Sequence, residues 1–308
     1  MNRFIRLRLL AMLLCLPFLL IFISGCGSSS QKKDEPPVYS PLQVLVPEAT
    51  GKETIGSSPM ILDVSNISQG YFIAQSDSSD LTCSLQIISP SGVLYSYFIA
   101  PGESAIVTFT EGSGDYTITG YQQVQGDQYA ALYSETVTVQ LENDFLPFLY
   151  PNQYVNFTPD SKASQLALSL IDEDTVDVDA LQQIYDYVVS NLTYDYEKAD
   201  TVTTGYLPDV DETLKTGTGI CFDYAALTTA MLRSCDIPCK LQIGYAGDIK
   251  HAWIDVYIRS KGWVNQAVSF KGDTWTLMDP TFDSNSDDKE AIQDYIGDES
   301  NYTVQFTR

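Results

Sequence analysis

Basic residues are scarce in this chain: 17 Lys and Arg stand against 40 Asp and Glu over 308 residues, for a formal net charge of −23. A nucleic-acid binder needs a basic footprint, so that class is excluded. The ordinary meaning of such acidity is a solvated, self-repelling surface. Histidine is scarcer still, with one in the whole chain, so any chemistry that needs an imidazole has a single candidate, His251. A comfortable membrane span is also missing, because the apolar run Leu9–Ile23 falls short of the ~20 residues that cross a bilayer. Metal-ligand spacing is lacking too. Cys235 and Cys239 with Cys221 and His251 would make a Cys3His set, but the paired short spacings of zinc sites do not occur. No metal and no cofactor is therefore expected.

What is present begins with a targeting segment over residues 1–25. Arg3, Arg6 and Arg8 precede Leu9–Ile23, which is the layout of a secretory leader. An uncleaved anchor helix is the alternative. Ile23-Ser24-Gly25-Cys26 is similar to a bacterial lipobox. The resemblance implies that Cys26 is lipidated as the first mature residue, which would anchor the chain to a bacterial cell membrane and leave the rest extracytoplasmic. Residues 26–42, with Gly-Ser-Ser-Ser and Pro36-Pro37, read as a flexible tether.

From residue 43 to 142 the pattern is β. Short strands are predicted at Met60–Val64, Tyr71–Gln75, Leu81–Ser89, Val93–Ala100, Ser104–Thr110, Asp115–Tyr121 and Tyr129–Leu141. Turn signals such as Pro90-Ser91-Gly92 and Pro101-Gly102 separate them. About seven short strands in ~100 residues suggest an immunoglobulin-like β-sandwich, although its Cys-Trp-Cys hallmark is absent. No acid–base constellation occurs there, so this domain is expected to space or bind. A connector over 143–160 carries Phe145-Leu146-Pro147-Phe148-Leu149-Tyr150, too apolar for a free linker and suited to packing between domains. Two amphipathic helices follow, one with Ala163, Leu166, Ala167 and Leu170 on its apolar face, the next with Leu181, Ile184, Tyr185 and Val188.

The chemistry-bearing stretch is Gly217-Thr218-Gly219-Ile220-Cys221-Phe222-Asp223-Tyr224. Helical spacing of Ala226, Leu227, Ala230 and Met231 starts directly after Cys221. Cys221 therefore falls at a helix N-terminus, where unpaired N–H groups and the helix dipole favour a thiolate. Gly217 and Gly219 are expected to let the backbone turn sharply and bring substrate close to the sulfur. His251 opens a predicted strand, His251–Ile258, and Asp279 ends another before Pro280. Cysteine, histidine and aspartate so placed are the parts of a thiol triad.

At these residues the chain resembles the transglutaminase-like superfamily over roughly residues 160–285. The matching blocks, in order, are Gly219-Ile220-Cys221 with its Asp-Tyr-Ala helix, Met231-Leu232-Arg233 with Ile237-Pro238, His251-Ala252-Trp253, and Asp279-Pro280-Thr281. One departure is Cys235, where the family usually has a helix-ending glycine. The resemblance implies an α+β fold over 161–308, a papain/transglutaminase-like domain with N-terminal helices packed on an antiparallel sheet. It makes Cys221 the nucleophile, His251 the base and Asp279 the carboxylate that orients the histidine. It adds an upstream side chain to the oxyanion site, a role for which Tyr194 and Tyr206 are the candidates. The expected activity is acyl transfer from peptide or protein amides, with hydrolysis ahead of cross-linking. The alternative is a surface-anchored binding protein that uses the same fold without catalysis.

Overall fold

The computed structural model describes residues 34–172, 174–265 and 302–308, together with the backbone of 268–271 and 274–277. The leader, Cys26 and Asp279 lie outside the described residues, as does the helix expected near 288–296. The described residues form one compact unit.

Eight strands come first: β1 (Thr54–Ser57), β2 (Met60–Asp63), β3 (Tyr71–Ser76), β4 (Cys83–Ile88), β5 (Leu94–Ile99), β6 (Ser104–Thr108), β7 (Gly114–Gln125) and β8 (Gln128–Val139). They make two antiparallel sheets, ordered β1-β2-β3-β6 and β5-β4-β7-β8. Period-2 alternation turns one face of each sheet inward. Leu62, Phe72 and Val107 from the first sheet meet Leu85, Tyr97 and Ile118 from the second in a shared core. Cys83 is part of that core, as its place among Leu81, Leu85 and Ile87 suggests. The Tyr116 hydroxyl, near the start of β7, donates to the Gly112 carbonyl at 2.8 Å.

The remaining elements are α1 (Lys162–Leu170), α2 (Asp177–Asn191), β9 (Thr193–Tyr194), α3 (Tyr196–Thr201), α4 (Val210–Thr216), β10 (Thr218–Gly219), α5 (Cys221–Arg233), β11 (Cys239–Ala246), β12 (Ile249–Ile258), β13 (Gly262–Val264), β14 (Val268–Lys271), β15 (Thr274–Leu277) and β16 (Tyr302–Thr307). An antiparallel sheet β13-β12-β11-β16 packs on the helices, and β14 pairs with β15 in a separate hairpin. Helix α5 is the hub, and every residue from Asp223 to Arg233 is buried. Ala180, Ile184 and Val188 of α2 share its core with Ala252, Ile254 and Val256 of β12. The fold is thus helices with antiparallel sheets, as expected for residues 161–308.

Two features depart from the sequence expectations. The expected tether ends early, because Pro36 and Pro37 are buried and Asn143 Nδ2 donates to the Glu35 carbonyl at 2.7 Å. The helix-ending turn is made by Asp236, with φ +58°, one position after Cys235. Aspartate tolerates that left-handed region better than most side chains, so a glycine is unnecessary.

Residues 145–150 are buried. Phe145 stacks on Trp263 and Phe148 meets it edge-on, while the Tyr150 and Tyr71 ring centroids lie 4.5 Å apart. Arg233, fully buried at the end of α5, donates to the carbonyls of Tyr150, Cys239 and Arg308 at 2.8–3.0 Å. One guanidinium therefore ties the connector, β11 and the end of β16 together. Burial pulls its pKa down to about 10.

Candidate active site

Because α5 is otherwise buried, only its first turn meets open space. Cys221 is its first residue and is half-buried, whereas Cys83, Cys235 and Cys239 are buried. Burial pushes the Cys235 and Cys239 thiols up to about 12. Both are free, so the pair at the end of α5 is not a disulfide. Among the described residues no group of three or more His, Cys, Asp or Glu side chains is placed to hold a metal.

The turn leading into α5 is built by backbone pairing and one carboxylate. Strand β9 pairs in parallel with β10, setting Tyr194 beside Gly219. Gly217, at φ +65°, ends α4 in a left-handed cap. Gly219 does a different job from the one expected of it. A Cβ there would sit 2.7 Å from Asp223 Cβ, so the missing side chain makes room for Asp223 and not for substrate. Asp223 is fully buried at the third helical position, where Oδ2 accepts from the Ile220 N–H at 2.8 Å. This is the helix-side half of a capping box. Asp223 also accepts from Tyr206 Oη at 2.5 Å and from Lys198 Nζ at 2.7 Å, and Lys198 Nζ donates to Tyr206 Oη at 2.7 Å.

That triangle corrects one expectation. The single hydroxyl proton of Tyr206 goes to Asp223, so in this arrangement Tyr206 has none left for an oxyanion. Burial and the neighbouring Asp223 both raise the Tyr206 pKa. Burial opposes the Lys198 charge, but its bonds to Asp223 and Tyr206 outweigh that and raise its pKa.

A cavity of about 460 Å³ opens over the thiol. Cys221, His251 and Tyr194 line it, as do Leu94 and Phe98 from β5. The alternation of β5 explains this last pair. Tyr95, Tyr97 and Ile99 point into the sandwich core, while Leu94, Ser96 and Phe98 face outward. Gln153 and Tyr154 cap the edge carbonyls of Phe98 and Ser96 at 2.6 and 3.0 Å, so this exposed strand edge is closed to further pairing. Arg308 and Lys250 also line the cavity, and among the described residues no Asp or Glu does.

Cys221 and His251 thus come to one cavity, while the third predicted member, Asp279, lies outside the described residues. The sequence reading missed Lys198, Asp223 and Arg308. Aspartate three positions after the cap residue was the one available signal.

Residues 164–280 match the family model of the transglutaminase-like superfamily. The chain therefore carries a transglutaminase-like domain over that region. Among solved structures it is similar to a candidate cysteine protease from Cytophaga hutchinsonii, at 16% identity over 83% of this chain and 84% of that one, with a TM-score of 0.37. It is also similar to the periplasmic domain of TgpA from Pseudomonas aeruginosa, at 13% identity over 71% of this chain and 93% of that one, TM-score 0.31. Red sea bream transglutaminase is a third, at 14% identity over 70% of this chain and 48% of that one, TM-score 0.26. All three likenesses are distant, and the assignment rests on the family match. No curated protein matches the chain.

Proposed function

We propose that this chain is a lipid-anchored, extracytoplasmic thiol acyl-transfer enzyme acting on peptide or protein amides. The observation that carries the reading is the emergence of Cys221, at the first turn of an otherwise buried helix, into the cavity that the chain's one histidine also lines. The Cys221 sulfur attacks the amide carbon, forming a tetrahedral oxyanion and then a thioester as the amine leaves. His251 takes the thiol proton and returns it to the leaving nitrogen, and Asp279 fixes its tautomer. The backbone N–H of Cys221 serves as the first oxyanion donor, with Tyr194 as the side-chain donor.

Water completes the cycle in preference to a lysine-like amine. Arg308 and Lys250 in the cavity, without a carboxylate among its described lining residues, repel a cationic acceptor. The anchor rests on Cys26 and its lipobox-like context. We read the two N-terminal sheets as an immunoglobulin-like sandwich over 43–142. Their strand orders and the bond from Tyr116 back to Gly112 support this.

Faster iodoacetamide labelling of Cys221 than of the buried Cys83, Cys235 and Cys239 would follow from exposure alone. The test is therefore its dependence on His251. Exchange of His251 for Ala should slow Cys221 alkylation at neutral pH and abolish amide turnover. An unchanged rate would refute the pairing and leave the binding-protein alternative.

A further inference from the structure

Arg308 is 4% exposed yet lines the cavity. Its Nη1 donates to Tyr97 Oη at 2.6 Å, while Nε is buried with no hydrogen-bond partner. No carboxylate pairs with it among the described residues. Its charge is held instead by aromatic faces, with the guanidinium carbon 4.1 Å from the Tyr154 ring centroid and 4.7 Å from those of Tyr95 and Tyr97. A cation without a counter-ion is expensive to keep buried, and ring faces offset only part of that expense. In a chain with 40 acidic residues, an unpaired arginine is not forced by any shortage of partners. Lys250, exposed at the start of β12, adds a second positive charge to the cavity wall. A guanidinium in this state is completed by a carboxylate, which it binds through short charge-assisted hydrogen bonds.

We propose that the cavity recognises acyl donors that carry a carboxylate near the scissile amide, with Arg308 as the carboxylate-binding residue and Lys250 as its supporting charge. The outward face of β5, through Leu94 and Phe98, would hold an apolar group of the same substrate. This inference rests on Cys221 being the nucleophile, and it gives the sandwich a part in choosing the substrate. Arg308 belongs to β16's end and Leu94 to β5, so specificity would be assembled from both halves of the chain.

The experiment compares alkylation of Cys221 in the full chain by iodoacetate, which bears a carboxylate, and by neutral iodoacetamide. The ratio of the two rates is set against that of N-acetylcysteine under the same conditions. Taking the ratio within each protein cancels any change in general reactivity. The expected result is a ratio about tenfold above the reference, the effect of ~1.4 kcal/mol, shrinking at high salt. It should return towards the reference in Arg308→Gln and fall partway in Lys250→Gln. Because the chain is so acidic overall, a surface effect would push the ratio below the reference. A ratio at or below the reference, with iodoacetamide still reacting, overturns the carboxylate site and leaves the nucleophile reading intact. A Cys221 that resists both reagents removes both. Should Arg308→Gln fail to fold, the wild-type and Lys250→Gln ratios decide the matter.

Discussion

Replacing Asp223 by Ala tests how the turn before Cys221 is held. The carboxylate has three partners, and their surroundings set what each is worth. The Ile220 N–H is buried and 2.8 Å from Oδ2, so losing its acceptor leaves an orphaned donor at a cost of ~1–3 kcal/mol. Lys198 is 30% exposed and Tyr206 is half-buried, so both regain water, and their loss adds at most ~1 kcal/mol. A negative charge in the first helical turn contributes ~0.3–1 kcal/mol more. The expected total is about 3 kcal/mol, read as a drop in the urea midpoint with the slope unchanged. Asp223→Asn keeps one acceptor oxygen and should lose about half as much. Lys198→Met alone leaves the carboxylate buried without its cation, so its effect combined with Asp223→Ala should be less than additive by ~0.5–3 kcal/mol. Labelling of Cys221 should become less selective as its turn loosens. A loss below about 1 kcal/mol for Asp223→Ala would refute the assignment of the turn to this carboxylate.

Three further outcomes are expected. Gly219→Ala forces a Cβ to within 2.7 Å of Asp223 Cβ, and should destabilise by ~1–3 kcal/mol while slowing Cys221 labelling; an undisturbed variant would contradict the packing. Arg233→Met strips the donor shared by three carbonyls and should lose ~3–5 kcal/mol, read by urea titration; a loss under ~1 kcal/mol would mean that the guanidinium is dispensable. Burial raises the Asp236 carboxyl, whose two oxygens have no hydrogen-bond partner among the described residues, from its usual 3.8 to about 7, against the pull of Arg259. The native state therefore binds this proton more tightly than the unfolded chain does. The contribution is complete below about pH 4 and lost as pH rises through about 7. Wild type should accordingly lose stability relative to Asp236→Asn between pH 4 and 8, and parallel pH profiles would rule the burial effect out.

Much of this fold was legible because burial imposes a period. Tyr95, Tyr97 and Ile99 alternate with Leu94, Ser96 and Phe98, and each of the seven strands predicted in the sandwich overlaps one of β2–β8. Strand β1 escaped notice because Thr54–Ser57 is mostly exposed and carries no alternation. Helices α3 and α4 are two-turn polar segments, formed by capping from Asp195 and Asp209 and not by an apolar stripe. Strand β11 could have been found, since Cys239 and Leu241 are buried and alternate with the half-buried Lys240. At the site, Cys221 and His251 were recognisable from local context. Arg308 was not, because the tyrosines around it, Tyr95, Tyr97 and Tyr154, are far removed from it in sequence. No local pattern marks a cation whose meaning is the absence of a partner.

The central claim is that Cys221 forms a covalent acyl intermediate. The most direct measurement is mass spectrometry of the intact chain, and of its Cys221 peptide, after brief exposure to an activated ester such as p-nitrophenyl acetate. The expected result is one acetyl group on Cys221, discharged by water within minutes at neutral pH, absent in Cys221→Ala and accumulating more slowly in His251→Ala. An unmodified Cys221, or an adduct that forms and decays equally in the His251 variant, would contradict the account.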